Sequence, residues 1–128
     1  MNLDWYKTLN KPPYNPPSWV FKPVWMVLYL MMAVSFFIML FSTQEKSKTL
    51  PILFFFIQLG FNFSWTPVFF GMHKMKLGFV IILLTIFFLL LTIVSFYPIS
   101  KMASILLIPY LLWLLYAGFL NYQLVKLN

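Results

Sequence analysis

Residues 77–97 read LGFVIILLTIFFLLLTIVSFY, an apolar run with no charged side chain anywhere in it. As an α-helix rising about 1.5 Å per residue it extends about 32 Å, enough to cross the roughly 30 Å hydrocarbon core of a bilayer. Working outward, three more runs have the same character. Val24 to Phe41 is uncharged and extends back to Trp19 if Lys22 reaches out to the headgroups. Pro51 opens another run that ends near Phe70, in a first turn where its missing amide costs nothing. Met102 to Val125 is the last, with Pro109 placed to kink it. The pattern predicts an all-α integral membrane protein with four transmembrane helices over about 19–41, 51–70, 77–97 and 102–125, behind a proline-rich loop over 1–18. The whole of 1–128 is then one transmembrane domain. The connections at Ser42–Thr49, Gly71–Lys76 and Pro98–Lys101 are short, which makes consecutive helices antiparallel neighbours in an up-and-down bundle.

The composition agrees. Hydrophobic residues make up 62% of the chain and charged residues 9%, against about 25% charged in a soluble domain. A water-facing surface cannot be built from this inventory. The net charge of +7 comes from nine lysines, no arginine and two acids, Asp4 and Glu45. The lysines sit at the ends of spans, where they meet lipid headgroups or an anionic ligand, and are not gathered on a folded polar face for nucleic acid. Lys7, Lys11, Lys22, Lys74, Lys76 and Lys126 fall on one side, Lys46, Lys48 and Lys101 on the other, which predicts cytoplasmic termini. Met1 to Pro23 is too polar for a signal-peptide core, so the first span is expected to serve as the insertion signal.

The same inventory narrows the chemistry. No cysteine is present, which removes disulfides, thiolate metal sites and thiol nucleophiles. With one histidine, His73, in a turn and no acid within a span, no catalytic triad, carboxylate pair, metal cluster or proton relay is available. A haem site on His73 is rejected on the same ground. No catalytic or metal-ligating residue is assigned, and no cofactor is required.

What remains is a pattern of aromatic rings and amides at four-residue spacing, which places them on single helix faces. Trp25, Tyr29 and Ala33 make one stripe, Gln58, Asn62 and Thr66 a second with Ser64 and Trp65 beside it, and Tyr110, Trp113, Ala117 and Asn121 a third. Amides surrounded by lipid need partners, so these faces are expected to point inward. The third helix offers only Thr85, Thr92 and Ser95, and is expected to pack mainly against lipid or a second subunit. Such residues also serve simply to join helices or to mark the membrane interface. If they enclose a pocket, it suits a flat apolar ligand held by stacking and amide hydrogen bonds. Four prolines stiffen Lys11 to Trp19, which suits either a lid over the bundle or a rigid surface linker. Lys11, Lys22, Lys74 and Lys76 would place cations at a pocket mouth, where ligand carboxylates would meet them. Leu120, Tyr122 and Lys126 fit a loose pattern proposed for sterol contact.

Three stretches together resemble the TspO/MBR family, the tryptophan-rich sensory proteins and translocator proteins: WYKTLNKPPYNPPSWVFKPVWMVLY from Trp5, QLGFNFSWTPVFFG from Gln58, and PYLLWLLYAGFLNY from Pro109. The resemblance implies a membrane protein, commonly a homodimer, that binds porphyrins such as protoporphyrin IX and, in some members, sterols. It implies a sensor or carrier in which Pro16, Pro17 and Trp19 cover the pocket while Trp25, Tyr29, Asn62, Trp65, Tyr110, Trp113 and Asn121 line or support it. Two other readings stand beside it: light- and oxygen-dependent porphyrin breakdown, with tryptophans as redox participants, and an interaction subunit with no ligand of its own. Family members usually carry five spanning helices, and only Met1 to Asp4 precede Trp5. The resemblance therefore implies either a four-helix variant or a shortened start.

Because native cysteine is absent, topology is directly testable. Single cysteines introduced beside Lys48 and beside Lys74 are expected to react with an impermeant maleimide from opposite sides of the membrane; labelling from one side would refute the span count.

Overall fold

The structure is a computed structural model and describes residues 21–43, 47–72 and 74–127. Residues 1–20, which include the proline-rich loop, and His73 lie outside the described residues. The chain forms α1 (Phe21–Leu40), α2 (Thr49–Thr66), a π-helical turn (Pro67–Gly71), α3 (Met75–Phe96), α4 (Lys101–Leu106) and α5 (Ile108–Leu127). Four spans, Lys22–Leu40, Thr49–Phe69, Met75–Phe96 and Lys101–Leu127, are long and apolar enough to cross a membrane, and they pack as a bundle.

Both irregularities lie at prolines. Pro67 has no amide to give the fourth residue back, and its ring crowds that carbonyl; the chain widens into a π turn closed by the Met72 amide on Pro67 O at 2.9 Å. Pro109 divides the last span more sharply than a kink. Helix α4 stops at Leu106, the Leu107 amide turns back to Ser104 O at 3.1 Å, and α5 starts afresh. Ser100 caps α4, its hydroxyl accepting from the Ala103 amide.

Helix α3 is the centre of the bundle, packed most extensively on α2 and then on α5, while α1 joins chiefly through α4. This differs from the expectation that the third helix faces mainly lipid or a second subunit. The reason is two glycines. A Cβ on Gly78 of α3 would lie 3.3 Å from atoms of Trp65, Phe69 and Asn121, and one on Gly118 of α5 would lie 3.1 Å from Ile82 Cγ2. Close approach at small residues is how helices gain contact where lipid gives no hydrophobic drive between them. Consecutive helices α1 and α2, in contrast, make few close backbone approaches and meet through large side chains, as where the Phe36 and Phe55 rings lie 4.8 Å apart.

One half of the bundle is closed. Met39, Leu89, Phe96, Ala103 and Leu107 there have no exposed surface. The Ser35 hydroxyl donates to Ala103 O at 2.5 Å, Ser42 to Ile99 O at 3.0 Å, and Ser104 to Ile93 O at 2.8 Å. Lys48 Nζ donates to Leu40 O and Ser42 O, at 2.7 and 2.8 Å, which puts a cation on the carbonyl end of α1. These bonds tie α1 to α4, α4 to α3, and the first connection back to α1.

The glycines make a contrast that thermal unfolding in detergent can read. Gly118→Leu is expected to cost about 1–3 kcal/mol by overpacking against Ile82. Gly60→Ala, with nothing within 4 Å of the new methyl, is expected to gain about 0.5–1 kcal/mol from helix propensity. Equal melting temperatures for the two variants would contradict the α3–α5 contact.

Candidate functional site

In the other half of the bundle the polar side chains find one another. Asn62, buried on α2, accepts from the Tyr29 hydroxyl of α1 at Oδ1 and donates from Nδ2 to the Tyr110 hydroxyl of α5 at 2.7 Å. Tyr110, fully buried, donates onward to Gln58 Oε1 at 2.8 Å, and Gln58 Nε2 faces Met32 Sδ at 4.0 Å. One chain of bonds thus joins α1, α2 and α5. A second clasp lies nearer the lysine-rich end. Trp65 Nε1 donates to Asn121 Oδ1 at 3.1 Å, and Asn121 Nδ2 donates to Met75 O at 2.9 Å, linking α2, α5 and α3 directly over Gly78. An amide in a low-dielectric bundle gains little by leaving such partners and loses much without them.

The rings pack around these bonds. Trp25 stacks on Tyr29 at 5.7 Å and meets Trp113 and Tyr110 edge-on at 6.2 and 6.4 Å. Trp65 stacks on Phe69 at 4.9 Å, a position the π turn gives to Phe69. Between the rings lies a narrow cleft of about 10 Å³ lined by Trp25, Asn62, Trp65, Ile82, Thr85, Leu114 and Ala117, so all four spans contribute. Its lining is aromatic and aliphatic with one amide. The Thr85 hydroxyl is turned to its own helix, donating to Ile81 O at 2.8 Å.

The structure brings Trp25, Tyr29, Asn62, Trp65, Tyr110, Trp113 and Asn121 into this one region. Ala33 is exposed, so the α1 stripe turns outward after Tyr29. Lys22, Lys74 and Lys76 are exposed at the ends of α1 and α3. Leu120 is buried while Tyr122, against Phe79, and Lys126 are exposed, so these three do not share one face. Trp19, Pro16, Pro17 and Lys11 lie outside the described residues. Ile82, Thr85 and Leu114 line the cleft without a signal in the sequence; Thr85 is one of several hydroxyls in apolar helices, and the other two are ordinary apolar positions. Among the described residues no three of His, Cys, Asp or Glu come together to hold a metal ion.

Fold and site together define a polytopic membrane protein with an aromatic, amide-bearing cleft among its spanning helices. Residues 1–127 match the sequence model of the TspO/MBR family, and the chain belongs to that family. It is 41% identical over 125 residues to "Tryptophan-rich protein TspO" of Chlorobaculum tepidum, a match covering 97% of this chain and 79% of that protein. It is 36% identical over 125 residues to "Tryptophan-rich sensory protein" of Cereibacter sphaeroides, covering 98% and 77%. With "Translocator protein" of Homo sapiens it shares 38% identity over 123 residues, covering 94% and 72%.

Tyr110→Phe removes the hydroxyl that both receives from Asn62 and gives to Gln58. It is expected to destabilise the bundle by about 1–3 kcal/mol, the cost of leaving buried polar atoms unpaired. Thermal unfolding in detergent checks this, and an unchanged melting temperature would show that the bond chain is not formed.

Proposed function

We propose that the cleft binds a flat, largely apolar tetrapyrrole such as protoporphyrin IX, and that the protein serves as a membrane-embedded sensor or carrier for it. The observation that carries this reading is the cleft itself, whose lining brings the rings of Trp25 and Trp65 together with the amide of Asn62. Flat ligands are held by stacking, and a single placed amide fixes their orientation. Family membership supports the same reading, since relatives carry the names sensory protein and translocator protein.

Size and charge add detail. With a free volume of about 10 Å³, room for about one water molecule, the cleft is far smaller than the roughly 300–1,000 Å³ of small-molecule pockets, so binding requires the lining rings to move apart. Lys22 precedes Trp25 by three residues, a rise of about 4.5 Å along α1. A ligand seated between the tryptophans therefore has a cation within reach of acidic substituents at its outer edge, with Lys74 and Lys76 at the same end of the bundle.

Titration of the detergent-purified protein with protoporphyrin IX, followed by tryptophan quenching, tests the reading. Saturable binding is expected, together with a loss of roughly tenfold or more in affinity for Ala117→Leu, which fills the cleft with about 1.4 kcal/mol or more of steric opposition. Unsaturable quenching that ignores Ala117→Leu would overturn the assignment of the cleft.

A further inference from the structure

We infer that Trp65 couples the cleft to the connection between α2 and α3, so that a ligand displacing its indole releases the start of α3 and shifts the exposed lysines there. This rests on the reading of the cleft as a ligand site and adds the output by which its occupancy is reported.

The cleft is far smaller than a tetrapyrrole, so binding has to displace part of its lining. Most of that lining is held from behind. The Trp25 ring lies among those of Tyr29, Tyr110 and Trp113, and Asn62 is committed to two tyrosine hydroxyls. Ile82 presses on Gly118, the Thr85 hydroxyl is bonded to Ile81 O, and both residues, like Leu114, are buried. Ala117 has only a methyl to move. Trp65 is placed differently. It stands two residues before Pro67, which has no amide to give the carbonyl of Phe63, so the α-helical ladder of α2 is interrupted beside it and the chain continues as a π turn. An indole on the last turn of a helix with an interrupted ladder is the part of the wall that yields.

Moving Trp65 undoes a junction of three helices. Its Nε1 donates to Asn121 Oδ1 of α5 at 3.1 Å, and Asn121 Nδ2 donates at 2.9 Å to the carbonyl of Met75, the first residue of α3. The same indole nitrogen, the Asn121 oxygen and the Phe69 ring converge on Gly78, each 3.3 Å from where a Cβ would stand. Once the indole leaves, the buried Asn121 oxygen has lost its donor in a low-dielectric core, where an amide turns to find another, and Phe69 loses the ring stacked on it at 4.9 Å. The contacts that hold the start of α3 against α5 and α2 at Gly78 are then broken. The connection follows, because the Met72 and Lys74 amides tie it to Pro67 O and Val68 O of the π turn, at 2.9 and 3.1 Å. Lys74 and Lys76, exposed where the connection enters α3, are the surface that changes.

Trypsin cleavage after Lys74 and Lys76 reads this release in the detergent-purified protein, with cleavage after Lys101, exposed at the start of α4 in the closed half, as the internal reference. Without ligand, Trp65→Phe, which keeps a ring and removes the N–H, is expected to raise the rate after Lys74 and Lys76 by about five- to tenfold relative to Lys101. Asn121→Ala is expected to do the same, and the double variant to add less than about twofold to either, since one clasp is broken from its two sides. Saturating protoporphyrin IX is expected to raise the wild-type rate by about fivefold and that of Trp65→Phe by less than about twofold. Saturable porphyrin binding that leaves wild-type cleavage unchanged would overturn the coupling. So would a rise after Lys101 as large as that after Lys74 and Lys76, which marks general loosening of the bundle. A measurement without porphyrin separates the coupling from the ligand assignment: Ala117→Leu fills the cleft from α5 and is expected to raise cleavage after Lys74 and Lys76 several-fold. That rise without saturable porphyrin binding to the wild type would retain the coupling and remove the tetrapyrrole reading, whereas unchanged cleavage in Ala117→Leu would remove the coupling.

Discussion

The side-chain amide of Asn62 is the constraint around which this bundle is arranged. Within a membrane it has no water to turn to, and its oxygen and nitrogen are met by tyrosines from two other helices. Those bonds fix the rotation of α1, α2 and α5 about their own axes, which apolar contact alone leaves loosely specified. Once Tyr29 and Tyr110 are committed to Asn62, Trp25 must lie among the rings of Tyr29, Tyr110 and Trp113, and the cleft beside it follows.

The two halves of the bundle divide the work. Where α1 ends and α4 begins, hydroxyl-to-carbonyl bonds join the helices around fully buried side chains, and Lys48 closes the carbonyl end of α1. In the half that carries Lys22, Lys74 and Lys76, aromatic rings meet at angles that leave a gap between them.

Much of the site could be read from spacing. Gln58 and Asn62 on α2, and Tyr110, Trp113, Ala117 and Asn121 on α5, recur every three or four residues, and in lipid polarity at that period points inward because the outward choice leaves amides unpaired. Residues that carry no such obligation are not placed by spacing. Ala33 continued the α1 stripe at the right spacing yet faces outward, since a methyl is equally content in lipid or protein. Ile82 and Leu114 line the cleft and look like any other aliphatic position. Leu120 turns into the core while Tyr122 and Lys126, close to it in the chain, turn out.

The sequence by itself determined that four helices span, roughly where they begin and end, and which of their polar faces seek partners. Each of these follows from the free energy of placing a residue in hydrocarbon, which is a property of the residue and its period. Only the tertiary structure decided which faces meet, that α3 is central, that Pro109 splits the last span, and that α1 meets α2 through large side chains. Helix α3 is apolar on every side and has no periodicity to choose its neighbours. Its place is set by shape, by how closely α2 and α5 approach at Gly78 and Gly118, and such complementarity exists only between helices already brought together.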